Sequence, residues 1–140
     1  MTEKQFVDTN ILVYAHNRSL GRKHEHARSL IRQLWENNQG ALSTQVLQEF
    51  CVALRRNAIH APPADELWQL IQDYCSWEIV VNDSAAVVRA LELEQKYKIS
   101  FWDALIVQAA ENCGASVLYS EDLSAGQRYG SVEVVNPFEE

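Results

Sequence analysis

The chain has 140 residues, of which 47% are hydrophobic and 22% charged, a composition that excludes a disordered or fibrous protein. A folded chain of this length buries about two thirds of the surface that its unfolded form exposes, so we expect one domain over residues 1–140. The N-terminus lacks the apolar segment of a signal peptide, and no stretch is long enough to span a bilayer. We therefore expect a cytoplasmic protein with no membrane contact.

The three cysteines and the net charge narrow the kinds of site that the chain can form. Cys51, Cys75 and Cys113 lie far apart with no CxxC pair, and we interpret them as small core residues in a reducing compartment. The net charge of −7 argues against a nucleic-acid partner, because phosphate binding normally draws on Lys and Arg. That objection loses its force if several acids are ligands of divalent cations, which neutralise them.

Strands and helices alternate along the first half of the chain. The elements predicted there are a strand at 5–8, a helix from about Asn10, a helix at 23–38, a strand at 41–42 and a helix capped by Ser43 or Thr44 that runs through Asn57. The helix at 23–38 has the clearest pattern, because its apolar residues recur at the spacing of one helix face and Gly40 follows it.

The alternation continues through the second half. The elements predicted there are a helix opened by Pro62 and Pro63, a strand at 77–81, helices at 83–97 and 101–112, a strand at 117–119, a polar loop at 120–130 and a strand at 132–135. We expect Cys75, and in the helix at 83–97 the apolar residues Val87, Ala90 and Leu91, on the buried faces of their helices. Such an alternation predicts an α/β fold, a three-layer α/β/α sandwich with a mainly parallel central sheet.

Two acids follow predicted strands, and two lie on predicted helices. Asp8 closes the first strand and Asp122 comes three residues after the strand at 117–119. In open α/β sheets the functional crevice lies at the carboxyl ends of the strands. Glu49 and Asp103 lie near the N-terminal ends of their helices, where the helix dipole tolerates negative charge. The four acids are therefore candidates for one site.

Each of these acids also has a purely structural interpretation. Asp8 can cap the helix that follows it, and Asp103 fits a capping box that begins at Ser100. Glu49 can be a surface acid beside a buried stripe, and Asp122 can be a turn residue. What the separate interpretations leave unexplained is the order of the four acids and their contexts taken together.

The acids occur in four segments that together form a recognisable pattern. The segments are VDTNILVYA at 7–15, STQVLQEF at 43–50, FWDALI at 101–106 and LYSEDL at 118–123. With these segments in this order, nearly the whole chain resembles the PIN-domain ribonucleases, particularly the VapC-like toxins of bacterial toxin–antitoxin pairs. The resemblance implies a PIN-like sandwich and a ribonuclease activity.

The resemblance also implies roles for single residues. It makes Asp8, Glu49, Asp103 and Asp122 an acidic catalytic quartet that binds metal. Auxiliary polar roles fall to Thr9, Asn10 and Ser120. The last segment departs from a simple match, because Glu121 and Asp122 are adjacent acids. We prefer Asp122, which takes the family position two residues after the hydroxyl of Ser120, and Glu121 stays as the alternative.

Clustered carboxylates repel one another, and a divalent cation relieves that repulsion. Mg²⁺ prefers hard oxygen ligands, and Mn²⁺ accepts the same donors. Such an ion can lower the pKa of a water and neutralise charge on a phosphodiester. We assign the principal ion to Asp8 and Asp103, the orientation or ligation of its water to Glu49, and the completion of the shell or a second ion to Asp122.

Basic residues near the first helix and at the end of the helix bearing Glu49 are candidates for RNA contact. They are Arg18, Arg22, Lys23, Arg28, Arg55 and Arg56. Solvated helix ends explain the same residues equally well. His24 and His26 are too closely spaced to share one helix face, so a zinc site is not expected.

Two other functions remain open. A haloacid-dehalogenase-type phosphatase would use Asp8 as a covalent nucleophile, but that family has a second Asp where this chain has Asn10. A non-catalytic module would keep the fold and only bind RNA or protein. The resemblance implies an RNA substrate, a small antitoxin protein and a homodimer, with helices at 23–38 or 64–76 as candidate interfaces.

Overall fold

Six strands form one sheet in the computed structural model, which describes residues 3–56 and 61–139. The strands are β1 (Gln5–Val7), β2 (Gly40–Ser43), β3 (Glu78–Val80), β4 (Val117–Tyr119), β5 (Arg128–Tyr129) and β6 (Val132–Val135). Their order across the sheet is β3-β2-β1-β4-β6-β5. Every neighbouring pair is parallel except β5 and β6, which confirms a mainly parallel sheet.

Helices cover both faces of the sheet, which confirms the predicted three-layer sandwich. The described residues contain α1 (Thr9–Ala15), α2 (Arg22–Asn37), α3 (Thr44–Arg56), α4 (Ala64–Tyr74), α5 (Ser84–Tyr97) and α6 (Phe101–Asn112), with a short 3₁₀ turn at Arg18–Leu20. Helix α1 packs against α2 and α3, and α5 packs against α6. In the part of the chain that the structure describes, no helix is long and apolar enough to cross a membrane.

Several element boundaries differ from the predicted ones. Helix α4 begins at Ala64, because Pro63 has an extended backbone and only its carbonyl joins the helix, through the N–H of Leu67. The predicted end of α3 at Asn57 lies outside the described residues. The predicted loop at 120–130 contains β5, which pairs with β6 through Arg128 and Glu133.

The buried face of α5 differs in part from the predicted one, since Ala90 is buried but Val87 and Leu91 are not. The side chains of Val87 and Leu91 are 43% and 47% exposed, whereas Ala86, Ala90 and Leu93 are buried. Small alanine side chains allow α5 to approach α6 closely, and the larger side chains of Val87, Val88 and Leu91 are left exposed. Apolar residues lie on both the buried and the exposed sides of α5, so the sequence pattern alone does not identify its buried face.

The interpretation of the cysteines as core residues is wrong for one of them and only partly right for the others. Cys75 is exposed, and Cys51 and Cys113 are partly buried. Cys75 follows the last residue of α4 as its C-cap, so the helix periodicity no longer fixes the direction of its side chain.

Candidate active site

The site begins at the point where the order of strands reverses. Strand β1 lies between β2, the next strand along the chain, and β4, which comes much later. The carboxyl ends of β1 and β4 lie side by side, because Val7 is paired with Tyr119. Asp8 follows β1 and Ser120 follows β4, so both lie at a topological switch point, where ligands bind in sheets of this kind.

Asp8 is almost fully buried, with 5% of its surface exposed, and both of its carboxylate oxygens accept hydrogen bonds. The backbone N–H of Thr9 donates to Oδ1 at 2.7 Å, and Ser120 Oγ donates to Oδ2 at 2.8 Å. The structure thus makes Asp8 the N-cap of α1 and also fixes its orientation from β4.

Burial raises the pKa of Asp8 to about 6, and the nearby carboxylates of Asp122 and Asp103 push it in the same direction. The hydrogen bonds from Ser120 and Thr9 stabilise the ionised form and oppose this rise. Two hydrogen bonds therefore fix the position of the Asp8 carboxylate, but they compensate only part of the cost of burying its negative charge.

Ser120 also positions Asp122. Its hydroxyl oxygen accepts the backbone N–H groups of Asp122 and Leu123, at 3.2 and 3.3 Å, which turns the chain after β4. The Oδ2 of Asp122 accepts a hydrogen bond from Asn10 Nδ2 at 2.9 Å. Burial raises the pKa of Asp122, with further contributions from Asp103 and Glu121. The bond between Asn10 and Asp122 therefore joins α1 to the loop that follows β4.

Glu49 and Asp103 reach the same place from α3 and α6. Thr9 Oγ1 donates to Glu49 Oε1 at 2.7 Å, which ties α3 to the start of α1. Asp103 lies in the first turn of α6, where Ser100 Oγ accepts its backbone N–H at 3.1 Å. This is the capping bond that the sequence suggested, and it leaves the carboxylate of Asp103 free to face the cavity.

All four predicted acids line one cavity of about 500 Å³, together with Thr9 and Asn10. Sequence reasoning missed other lining residues, notably Trp102, Val52 and Gln45. Two signals could have found them. Trp102 directly precedes Asp103, and Val52 lies three residues after Glu49 on the same face of α3.

Of the candidate RNA-contact residues, only Arg56 lines this cavity. It lies seven residues after Glu49, two helical turns along the same face of α3. Lys23 instead forms a salt bridge with Glu121, whose other carboxylate oxygen accepts the hydroxyl of Tyr14. Burial raises the pKa of Glu121, but the bonds from Lys23 and Tyr14 outweigh it and lower the value overall. Of the two adjacent acids, Asp122 lines the cavity and Glu121 does not.

The donor atoms around this cavity suit a hard divalent cation, because they are carboxylate oxygens that raise one another's pKa. Among the described residues, however, no three His, Cys, Asp or Glu side chains are arranged closely enough to hold an ion. Glu49 is bonded to Thr9 and Asp122 to Asn10 instead. The acids thus share one cavity without forming a coordination shell.

Comparisons with known proteins agree with this architecture. A family model described as PIN domain matches residues 6–128. A sequence search of curated proteins found no match.

Three solved structures share the fold. A toxin–antitoxin complex from Klebsiella pneumoniae is 20% identical, with a TM-score of 0.70 over 98% of this chain and 100% of that chain. The VapC20 toxin of Mycobacterium tuberculosis, described as cleaving the sarcin-ricin loop, is 21% identical, with a TM-score of 0.66 over 85% and 90%. DNA-bound VapBC from Salmonella typhimurium is 19% identical, with a TM-score of 0.63 over 95% and 97%.

Proposed function

This chain belongs to the PIN domain family, and we propose that it is a metal-dependent endoribonuclease that hydrolyses RNA phosphodiester bonds as the toxin of a toxin–antitoxin pair. The observation that carries the proposal is the convergence of Asp8, Glu49, Asp103 and Asp122 on one cavity at the switch point of the sheet. They come from four separate parts of the chain, and no helix cap or turn requires all of them to meet.

Asp8 and Asp103 would hold Mg²⁺ or Mn²⁺, and Asp122 would complete the ligand set or hold a second ion. When bound, the ion supplies a water of lowered pKa and neutralises negative charge that develops on the phosphate. Ser120 and Thr9 orient the two oxygens of Asp8. Such fixed polar contacts behind a ligand are typical of metal sites.

Glu49 would orient the attacking water, since it lines the cavity from the α3 wall and Thr9 engages only its Oε1. Arg56 lines the same wall and can bind a phosphate oxygen next to the one that reacts. A single cation on the wall compensates part of the charge that four acids would otherwise present to RNA.

An exposed indole completes the cavity. The side chain of Trp102 is 63% exposed, and its ring lies against Phe101 at 5.5 Å between centroids. An aromatic face beside a phosphate-binding site is suited to stacking a nucleobase, which is worth about 1–3 kcal/mol per base. This wall favours a nucleic acid over a small phosphorylated metabolite as the substrate.

The proposed partners follow from the fold relatives. Two of the solved structures are described as toxin–antitoxin or VapBC complexes. We accordingly propose that a small antitoxin neutralises this chain in the cytoplasm, and that the toxin acts as a homodimer. Co-expression with the product of a neighbouring gene, followed by size-exclusion chromatography, tests both assignments.

The decisive experiment is cleavage of a mixed-sequence RNA by the purified protein in EDTA, Mg²⁺ or Mn²⁺, with Asp8→Asn and Asp103→Asn variants. Cleavage should need the metal and fall by at least 100-fold in either variant. Glu121→Gln is the matched control, because it removes an adjacent acid that lies off the cavity, and it should keep activity within a few-fold.

Other outcomes point to the alternatives. Metal-dependent cleavage that survives both Asp variants would contradict the proposed site. Tight RNA or antitoxin binding without any cleavage would favour a non-catalytic module. Release of phosphate from small substrates, with a phosphorylated Asp8, would favour the phosphatase.

A further inference from the structure

Positive charge is concentrated in one segment of this acidic chain. Residues 16–35 contain five Lys and Arg and one acid, whereas the whole chain has a net charge of −7. The segment begins at the C-cap of α1, His16, and covers the 3₁₀ turn and most of α2. Only Lys23 among its basic side chains forms a salt bridge within the described residues.

Three of these arginines line a second cavity of about 500 Å³ at the C-terminal end of α1. Arg18 approaches from the 3₁₀ turn, and Arg28 and Arg32 project from successive turns of α2. One acid, Glu36, shares this wall. The cavity therefore carries an excess of positive charge on a protein whose overall field repels anions.

The same cavity has an aromatic wall. Trp35 is 40% exposed there and packs against the buried Tyr74, with ring centroids 5.5 Å apart. A fixed, partly exposed indole among guanidinium groups offers a stacking face and phosphate ligands together. Arginine and aromatic side chains in one groove are the combination that binds single-stranded nucleic acid.

A third cavity, of about 430 Å³, shares lining residues with both the basic cavity and the carboxylate cavity. It lies between α1 and α3 and shares Ala53 with the carboxylate cavity and His16 and Arg18 with the basic one. The carboxylate cavity lies at the N-terminal end of α1 and the basic cavity at its C-terminal end. The seven residues of α1 span about 10 Å. The three cavities thus adjoin along one side of the molecule.

We propose that the cavity lined by Arg18, Arg28 and Arg32 is a second RNA-binding site, which holds phosphates of the substrate strand a few nucleotides away from the bond that is cut. The strand enters it along the cavity between α1 and α3. That the strand ends in the carboxylate cavity rests on the proposed function, whereas RNA binding by the basic cavity can be measured without catalysis.

The first test is the affinity for a fluorescent 12-nucleotide single-stranded RNA, measured in EDTA over a range of salt concentrations. The double variant Arg28→Gln/Arg32→Gln should bind about 10-fold more weakly. Its slope of log affinity against log salt should be shallower by about 1.4, since each lost phosphate contact on a single strand changes the slope by about 0.7.

A matched control removes the same charge elsewhere. Lys4 and Arg128 line none of the three cavities, and their contacts are with the carbonyl of Asn38 and with Glu133. The double variant Lys4→Gln/Arg128→Gln should bind the RNA as the unchanged protein does. Equal weakening in both double variants would mean that net charge alone sets the affinity, and the proposed site would be wrong.

The second test separates this proposal from the proposed function. A tetranucleotide too short to reach the basic cavity should be cut by Arg28→Gln/Arg32→Gln at the normal rate, and the 12-mer with a KM raised about 10-fold at unchanged kcat. If no RNA is cut by any form but the affinities behave as expected, the second site stands and the nuclease proposal fails. If a poly-glutamate peptide binds the basic cavity while RNA affinity is the same in all forms, the site is for an acidic polypeptide and the proposal is overturned.

Discussion

Asp8 combines a structural role with the chemical role that the proposed function gives it. It caps α1 through the N–H of Thr9, accepts the hydroxyl of Ser120, and is buried with a pKa raised to about 6. A neutral cap would stabilise the helix as well without this electrostatic cost. Retaining a charge there is a trade of stability for function, as is common at active sites.

The raised pKa of Asp8 predicts how the free energy of unfolding depends on pH in EDTA. Because the pKa of Asp8 is raised on folding, the folded protein holds the proton more tightly than the unfolded chain does. The contribution of Asp8 to folding stability is therefore favourable below pH 4 and is lost as the pH rises through about 6. Replacing Asp8 by Asn removes this pH dependence, so the stability of Asp8→Asn relative to the unchanged protein should rise by about 1.4 kcal/mol between pH 5 and 7.5.

Urea unfolding of both proteins at the two pH values measures this difference. Glu121→Gln serves as the comparison, since the pKa of Glu121 is shifted downward and its loss should bring no such gain. A constant difference between Asp8→Asn and the unchanged protein across this range would show that the Asp8 carboxylate costs nothing.

Trp102 gives a prediction about substrate binding. If its indole stacks a base, Trp102→Ala should raise KM for RNA by about 5- to 150-fold, which corresponds to the 1–3 kcal/mol of one stacked base. Trp102→Phe should restore most of the loss. Trp68 is equally exposed and lies away from the cavity, so Trp68→Ala is the control. Equal KM values for the two alanine variants would contradict stacking.

Single residues show where sequence reasoning succeeded and where it could not. The placement of Asp8 and Asp122 after parallel strands was enough to bring them to the same edge, because strand ends define that edge. Between the adjacent acids Glu121 and Asp122, the sequence favoured Asp122 only through the family resemblance, since the placement depends on the turn that Ser120 forms with its hydroxyl. Trp102 was missed because its exposure depends on how α3 and α6 approach each other.

At the level of elements, the N-terminus of α6 connects stability to the site. Ser100 Oγ accepts the N–H of Asp103, the residue whose carboxylate lines the cavity. Removing this cap by Ser100→Ala should cost about 1 kcal/mol of stability. It should also lower RNA cleavage several-fold, because the first turn of α6 then frays around Asp103.

The cap of α5 is the matched comparison for that variant. Asp83 accepts the N–H of Ala86 at 3.0 Å and lies away from the cavity. Asp83→Ala should cost a similar amount of stability and leave cleavage unchanged when both are measured well below the melting temperature. A parallel loss of activity in the two variants would assign the effect of Ser100 to stability alone.

Elements with a strong local signal were predicted well. The amphipathic periodicity of α2 and the Ser100 cap of α6 gave boundaries within one residue of those observed. Strand β5 was missed because its two residues are stabilised by pairing with β6 and carry no pattern of their own. The face of α5 was misjudged because its packing against α6 selects alanines, a choice that tertiary contacts make.

At the scale of the whole molecule, two cavities carry charge of opposite sign. The acids converge on the cavity at the sheet edge, and the basic segment at 16–35 surrounds another cavity along α1. Neither the net charge of −7 nor the composition reveals this separation. The sequence contains the charges, but only the fold decides which of them share a surface.

Metal binding should appear in the stability of the whole protein. A cation that binds only the folded state adds RT ln(1 + [M]/Kd), so Mg²⁺ at ten times its Kd adds about 1.4 kcal/mol, or about 3–6 °C in Tm. Asp8→Asn/Asp103→Asn should lose this metal-dependent rise. Because Asp8→Asn changes the metal-free stability by itself, the quantity to compare is the shift between EDTA and metal, with NaCl matching the ionic strength. A Mg²⁺ shift of the same size in the double variant would place the bound ion outside the carboxylate cavity.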